Sequence, residues 1–435
     1  MHRWIERTFH TVRGVSSLRL VYKFWAVTVL WNARLIDGTG AAARDRVVVE
    51  IDRGRIVQLR GVAAGSPPAG AIDLGGRTLL PGLIDVHAHV SSDTLRSPGF
   101  GPPPMLHGEL PRSRALGYFI LAKAAGAMLA AGVTTVRDVG SYDDEAIAVR
   151  EAVRLGIVDG PRILSCGRII SATAPGGAIF KTMYREADGP EDMRKAVREQ
   201  LRRGADFIKL MATGARSVLA EDPEPAQMTA AELSAIVDEA HRMGVRVAAH
   251  AEGLEGAQLA VQEGVDTIEH GLSLHRDPRL LAAMAQRGIV LVPTLSTFHD
   301  LAERFTDDFA PALVEQAKRQ KEEAYRTLVA ARDAGVTLAM GHDSGPPGEN
   351  AIELVRMVDG GLSAQEGIVA ATSAAARALG LDDVGTVTAG ARGDLLVVDG
   401  DPLRDIRVLA DRQRIWLVLK AGKVVAGRGR GTMDA

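Results

Sequence analysis

The chain of 435 residues holds a single cysteine, Cys166. One thiol excludes an internal disulfide and fits a reducing compartment, so a cytoplasmic location is expected. Neither sign of charge prevails: 52 Lys and Arg face 54 Asp and Glu, a formal net charge of -2. That balance offers no basic footprint for nucleic acid and no polybasic membrane signal. Long hydrophobic runs are also missing. The stretch Val21 to Trp31 is mostly apolar, but Lys23 interrupts it, and it falls far short of the ~20 residues a spanning helix needs. No small-residue cleavage site follows it cleanly, which argues against a secretory signal. The expected partner is therefore a small-molecule substrate, with no nucleic acid and no membrane. Aromatic residues are scarce at 4%, whereas glycine is abundant at 47, as many tight strand–helix turns require.

What is present has ordinary globular composition, 46% hydrophobic and 24% charged. The length suits a barrel of ~250 residues with a satellite domain. Residues 1–26, rich in Arg and aromatics, read as an appendage to a domain that starts at the strand-and-turn pattern from Val27. Residues 27–80 hold short alternating strands, such as Arg46 to Ile51 and Arg55 to Leu59, broken by Gly and Pro turns. The texture returns in 385–435, at Gly393 to Gly400 and Arg414 to Lys423. These two ends are expected to pair into one small β-sandwich domain. Between them, in 81–384, strands alternate with amphipathic stretches such as Ala231 to Met243 and Ala312 to Ala334. Apolar runs end near His89, Asp138, Gly167, Met211, His250, His270, Thr294 and Asp343. The fold class expected from eight such runs is α/β, a (β/α)8 TIM-like barrel.

Two histidines one residue apart close the first run, in Leu83-Ile84-Asp85-Val86-His87-Ala88-His89. In a strand, residues i and i+2 share a face, so both imidazoles leave the strand end together. Such a pair serves as metal ligands or as a hydrogen-bonded couple, and the motif alone does not choose. The fourth run, Gly204 to Met211, carries Lys209 in otherwise apolar surroundings. A buried ammonium is costly, and burial depresses its pKa. The neutral amine is a nucleophile that can form an anionic, two-oxygen carbamate with CO2. The alternative is a lysine snorkelling out of the strand end. The fifth and sixth runs end in His250 and His270, and the eighth ends in Asp343. All of these fall at C-terminal strand ends, where barrel active sites form, a pattern that chance poorly explains.

Four phrases carry a resemblance: Leu80-Pro81-Gly82-Leu83-Ile84-Asp85-Val86-His87-Ala88-His89, Gly132-Val133-Thr134-Thr135-Val136-Arg137-Asp138, Asp206-Phe207-Ile208-Lys209 and Ala391-Arg392-Gly393-Asp394-Leu395. From about Val27 to Gly427 the chain resembles the amidohydrolase superfamily of metal-dependent hydrolases. The stretch Asp188 to Gln200 is similar to the imidazolonepropionase-related, Xaa-Pro dipeptidase-like branch. The resemblance implies two divalent metal ions, Zn first, with Mn or Co tolerated. By it, His87 and His89 bind the more buried ion, a carboxylated Lys209 bridges both, and His250 and His270 bind the second. Asp343 coordinates the buried ion and acts as general base. The implied reaction is hydrolysis of an amide C–N bond by a metal-bridged hydroxide. The implied substrates are N-acyl amino acids, Xaa-Pro-type dipeptides or ochratoxin-like aryl amides. A homo-oligomer is implied too. Cyclic amides, lactones or organophosphate esters are the alternative substrates. A non-catalytic barrel relative is disfavoured, because all six ligand positions are filled.

The sequence departs from that pattern in places. Lys209 separates the chain from imidazolonepropionases proper, which use one metal. A Gly-Gly-His stretch often follows the third strand in the dipeptidase-like branch, and here Ser171 to Ala178 lacks histidine. His342 stands where Thr is usual, and strand alternation should turn it away from Asp343. Tyr184, Arg137 and Arg216 are candidates to hold a substrate carboxylate, Arg through a bidentate pair. His275 and His299 are candidates to reach the barrel mouth, and His107, in the loop Pro102 to Gly108, is a candidate lid residue.

Overall fold

A computed structural model describes residues 27–62, 66–90, 114–216, 218–304, 306–308 and 310–432; residues 1–26 and His107 lie outside them. The described chain opens with β1 (Thr28–Leu35), β2 (Arg44–Asp52), β3 (Arg55–Gly61), β4 (Ile72–Asp73) and β5 (Thr78–Pro81). Nine strands of the central region follow: β6 (Leu83–Ala88), β7 (Val133–Asp138), β8 (Arg162–Ser165), β9 (Ile169–Ser171), β10 (Tyr184–Glu186), β11 (Ile208–Met211), β12 (Val247–Ala251), β13 (Thr267–His270) and β14 (Val290–Val292). The chain closes with β15 (Leu395–Val398), β16 (Ile415–Lys420) and β17 (Lys423–Ala426).

The two chain ends share one eight-stranded sheet, ordered β17-β16-β15-β5-β1-β2-β3 with β4 beside β1. Its hairpins follow local chemistry. Arg53 and Gly54, between β2 and β3, both have positive φ (46° and 79°), as a two-residue type I′ turn requires. The ends meet in an antiparallel ladder of β5 and β15, from Thr78↔Val398 to Pro81↔Leu395. Gly82 extends it by donating its N–H to Asp394 O at 2.9 Å. Leu30, Leu35, Val49, Ile51, Leu79, Leu395 and Leu417 pack into the sheet's core, each aliphatic side chain contributing about 1.5–3 kcal/mol on burial. Hydrogen bonding thus joins both chain ends in a single sheet.

In the central region every strand pair is parallel, in sheets ordered β6-β7-β8 and β10-β9-β11-β12-β13-β14. Helices such as Pro190–Arg203, Ala230–Arg242, Leu254–Glu263 and Pro278–Arg287 alternate with these strands, making the architecture α/β. Their boundaries are written locally. Pro190 opens one helix and Gly204, left-handed at φ 95°, stops it. Thr229 and Glu232 form a reciprocal capping box on the next. Strands β6, β7, β11, β12 and β13 are buried along their whole length, as parallel strands covered on both faces must be.

Two of the eight expected runs differ from regular strands. The third is split into β8 and β9 around Gly167, whose φ of 68° turns the chain between them. The eighth, Val336 to Asp343, is held by two isolated bridges, Leu291↔Leu338 and Ala88↔Asp343. Leu291 and Ala339 bond it to β14, whereas Val86 N→Met340 O and Asp343 N→His87 O bond it to β6. Its bonds change sides midway, so no continuous ladder forms along either neighbour.

Candidate metal centre

The strand ends bring ligand-type side chains together. Donor atoms of His87, His270 and Asp343 all lie within 4.8 Å of one another. Asp343 Oδ1 is 3.3 Å from His87 Nε2 and 3.5 Å from His89 Nε2. The His87 ring lies 5.7 Å from that of His89 and 5.0 Å from that of His270, and His250 is 4.4 Å from His270, centroid to centroid. Lys209 is 2% exposed and shares electrostatic contact with Glu269, Asp343 and His87. No hydrogen bond or ion pair of its ammonium is found among the described residues. Burial holds its pKa below the usual lysine range.

Backbone conformation explains the crowding. His270, Thr294 and Asp343 have φ of 71°, 44° and 62°. A non-glycine residue in the left-handed region costs roughly 1–3 kcal/mol, and such residues cluster at functional sites. The turn also breaks strand alternation: Glu269 and His270 are sequence neighbours, yet both reach His87. Close approach fixes Gly341, where a Cβ would fall 2.6 Å from His87 Cβ and press on Val292.

A second set of polar groups holds the first. Glu269 Oε2 is 2.6 Å from His87 Nδ1, and its Oε1 accepts from Arg137 at 2.7 Å. Glu252 accepts from Arg216 at 2.8 and 2.6 Å and lies 3.2 Å from His250 Nε2, which is also 3.0 Å from Gly214 O. His270 Nδ1 meets Thr294 Oγ1 at 2.6 Å, and His89 Nδ1 meets Gly140 O at 2.9 Å. The Thr297 hydroxyl donates to Asp343 Oδ2. Asp85 accepts from His87 N, His342 N and Asn350 Nδ2, tying β6 to the following loops.

The charges follow from these contacts. Burial works to raise the Asp343 carboxyl, but His87, His270 and His89 hold it well below the usual carboxylate range. Burial likewise opposes ionisation of Glu269 and Glu252. Arg137 and His87 overcome it at Glu269, holding the carboxyl low. Arg216 and His250 hold Glu252 down to about 2. Burial lowers the pKa of both His87 and His270.

The remaining candidates fall elsewhere. Arg137 Nε donates to Val86 O, one terminal nitrogen to Thr267 and the other to Glu269, so all three face inward. Arg216 is buried too, paired with Glu252 and stacked 3.9 Å from the Phe298 ring centroid. Arg137 is thus committed to an internal glutamate, whereas Arg216 pairs with Glu252 through Nε and Nη2 and keeps a buried Nη1 with no hydrogen-bond partner among the described residues. Tyr184 is buried and stacks on Phe180 at 4.9 Å, with Glu221 and Glu252 as its charged neighbours. His275 bonds Thr327 of the helix Pro311–Asp333 at 2.9 Å, and His299 bonds Tyr325 of that helix at 2.7 Å. His342 is buried beside Asp300 and Arg356, and burial pushes its pKa down to about 4. Glu269, Glu252, Thr294 and Thr297 were not among the sequence-derived site residues; Glu269 directly precedes His270 and Glu252 lies two residues after His250, which was the available signal.

Neutral imidazoles with carboxylate oxygen form a nitrogen–oxygen donor set that suits Zn and tolerates Mn or Co. The residues present therefore fit a divalent metal. Comparison with known proteins points the same way. Ochratoxinase of Aspergillus niger is 31% identical over 93% of this chain and 88% of its own. A crystal structure of A. niger ochratoxinase matches with a TM-score of 0.80 at 27% identity, over 93% of this chain and 96% of that one. A Xaa-Pro dipeptidase with methionine bound in its active site matches with a TM-score of 0.82 at 30% identity, over 92% and 100%. A prolidase complexed with N-methylphosphonate-L-proline matches with a TM-score of 0.82 at 31% identity, over 93% and 100%. The amidohydrolase family model matches residues 78–425, and the chain therefore belongs to the amidohydrolase family of hydrolytic enzymes.

Proposed function

We propose that this protein hydrolyses amide C–N bonds of small molecules in which the amide nitrogen belongs to an amino acid: N-acyl amino acids, Xaa-Pro-type dipeptides or ochratoxin-like aryl amides. The single observation that carries this reading is the convergence of His87, His270 and Asp343 within 4.8 Å. The similarity to ochratoxinase and to Xaa-Pro dipeptidase supports the substrate class. In this reading His87, His89 and Asp343 hold one divalent ion, His250 and His270 hold a second, and a carboxylated Lys209 lies between them. Such ions supply Lewis acidity and lower the pKa of water. Asp343 takes up the proton of the attacking water and passes it to the leaving nitrogen, working as base and then acid. The Thr297 hydroxyl on Oδ2 orients that carboxylate.

The fold reading that accompanies it is a closed (β/α)8 barrel over 81–384, with a β-sandwich from 27–80 and 385–435. A cytoplasmic homo-oligomer completes the proposal. The test is a panel of N-acyl amino acids, Xaa-Pro dipeptides and ochratoxin A set against lactones and phosphotriesters, with Zn or Mn added. Turnover of the amides is expected, with about two divalent ions per chain by elemental analysis. Turnover confined to lactones or phosphotriesters, or protein that takes up no divalent ion, overturns the reading.

A further inference from the structure

A guanidinium only donates, and it offers two forked edges: a side edge of Nε with one terminal nitrogen, and an end edge of both terminal nitrogens. At Arg216 the side edge is taken. Nε donates to Glu252 Oε2 at 2.8 Å, and Nη2 meets Oε1 at 2.6 Å. The end edge is not taken: Nη1 is buried and has no hydrogen-bond partner among the described residues. The Phe298 ring, its centroid 3.9 Å away, and Glu252 together hold the guanidinium in place. Leaving a buried donor unmatched costs free energy, and native structures seldom do so without cause.

A second unmatched donor lies beside the same glutamate. Tyr184 is 4% exposed, and its hydroxyl makes no hydrogen bond among the described residues. Its charged neighbours are Glu221 and Glu252. Glu221 frames both donors, accepting from Ala215 N, next to Arg216, and from Gly176 N, each at 2.7 Å. Gly176 belongs to the helix Pro175–Phe180, whose Phe180 stacks on Tyr184. The metal centre is close by. Glu252 is 3.2 Å from His250 Nε2, and Arg216 is a charged neighbour of His270. The two donors therefore border the centre on its His250–His270 side.

We infer that the end edge of Arg216 and the Tyr184 hydroxyl receive the α-carboxylate of the substrate's amino acid, and so select amides whose nitrogen belongs to an amino acid with a free carboxyl group. This receptor rests on the amide-hydrolase reading above and narrows its substrates to acids. Two parallel N–H bonds match the two oxygens of a carboxylate, as Glu252 already does on the side edge. A site built around such donors rejects an analogue that cannot satisfy them.

N-benzoyl-L-phenylalanine and N-benzoyl-L-phenylalaninol share one amide bond and differ only in carboxylate against hydroxymethyl; glycyl-L-proline and glycyl-L-prolinol form a second such pair. The metal-loaded wild type is expected to prefer the acid by at least about 100-fold in kcat/KM. Arg216→Lys keeps a cation beside Glu252 but loses the planar fork. Tyr184→Phe removes one hydroxyl and leaves the Arg216–Glu252 pair intact. In each variant the loss of kcat/KM on the acid should exceed that on the alcohol by about 10-fold or more. A merely structural role lowers both alike. A wild type that treats acid and alcohol alike, or variants that weaken both equally, overturns the inference. If Arg216→Lys fails to fold, Tyr184→Phe decides. If the wild type hydrolyses no amide at all, the amide-hydrolase reading fails, and calorimetry with L-phenylalanine and L-phenylalaninol judges the receptor alone. Tighter binding of the acid, lost in Tyr184→Phe, upholds the receptor, and equal binding removes it.

Discussion

Asp343 Oδ1 lies 3.3 Å from His87 Nε2, and its other oxygen accepts from the Thr297 hydroxyl. One side of the carboxylate is thus turned to the histidines and the other is pinned. Asp343→Asn keeps the shape and removes the charge and the proton-accepting capacity. Its kcat is expected to fall by about 10²–10⁴-fold, the worth of a general base. The melting temperature of the metal-free protein should stay near that of the wild type. Activity within a few fold of wild type would remove Asp343 from the proton path.

Lys209 should separate activity from stability. Its ammonium is buried, with no hydrogen bond or ion pair among the described residues, and burying a charge without a partner is costly. Lys209→Met is therefore expected to abolish hydrolysis while leaving the metal-free protein at least as resistant to urea. A lower urea midpoint for the variant would contradict this account.

Gly341→Ala tests close packing behind the site. The added methyl would meet His87 Cβ at 2.6 Å and also Val292. Overpacking of this kind costs about 1–3 kcal/mol, and displacement of His87 should lower activity as well. Normal stability with normal kcat would show that the backbone yields freely there.

The pH dependence of stability should carry a signature of Glu353. Burial raises its carboxyl from 4.5 to about 7, against the Ser296 hydroxyl, Arg356 and the amides of Leu295 and Ser296, which favour the ionised form. A carboxyl raised on folding contributes stability that is fully present below its unfolded pKa. That contribution is lost as pH climbs through the folded value, so the window runs from about 4.5 to 7. The shift corresponds to roughly 3 kcal/mol. Urea unfolding from pH 4.5 to 8 should show this decline in the wild type, and Glu353→Gln should flatten it. An unchanged slope in the variant would assign the effect to another group.

Removal of divalent ions by prolonged chelation should abolish hydrolysis, and Zn, Mn or Co should restore it. Ligand at a hundredfold excess over Kd stabilises by about 2.7 kcal/mol, so the restored protein should also melt higher. Full activity after exhaustive chelation would refute a metal-dependent mechanism.

The residues at the strand ends were readable because apolar runs ending in His, Lys or Asp mark both a buried strand and its exit. His87 and His89 share a face through simple alternation. Alternation misleads one step further on. At Glu269 and His270 the left-handed φ of His270 sends two neighbours to the same centre. The partners of Arg137 and Arg216 were hidden for a different reason: sequence displays a guanidinium but not the glutamate that claims it. Arg137 meets Glu269 across 132 residues and Arg216 meets Glu252 across 36. The bond between Asn350 and Asp85 spans 265 residues. The irregular eighth run was illegible because its hydrogen bonds switch neighbours midway, which leaves no trace in hydrophobic pattern.

Only Gly82 stands between β5 and β6, and its N–H is bonded to Asp394 O in continuation of the β5–β15 ladder. The strand that delivers His87 is therefore indexed against the far end of the polypeptide. A slip of one residue in that pairing would shift His87 along its axis by about 3.3 Å, as far as the whole gap from His87 to Asp343. The closing segment of the chain works as a gauge, setting the depth at which a centre built from other strands is assembled.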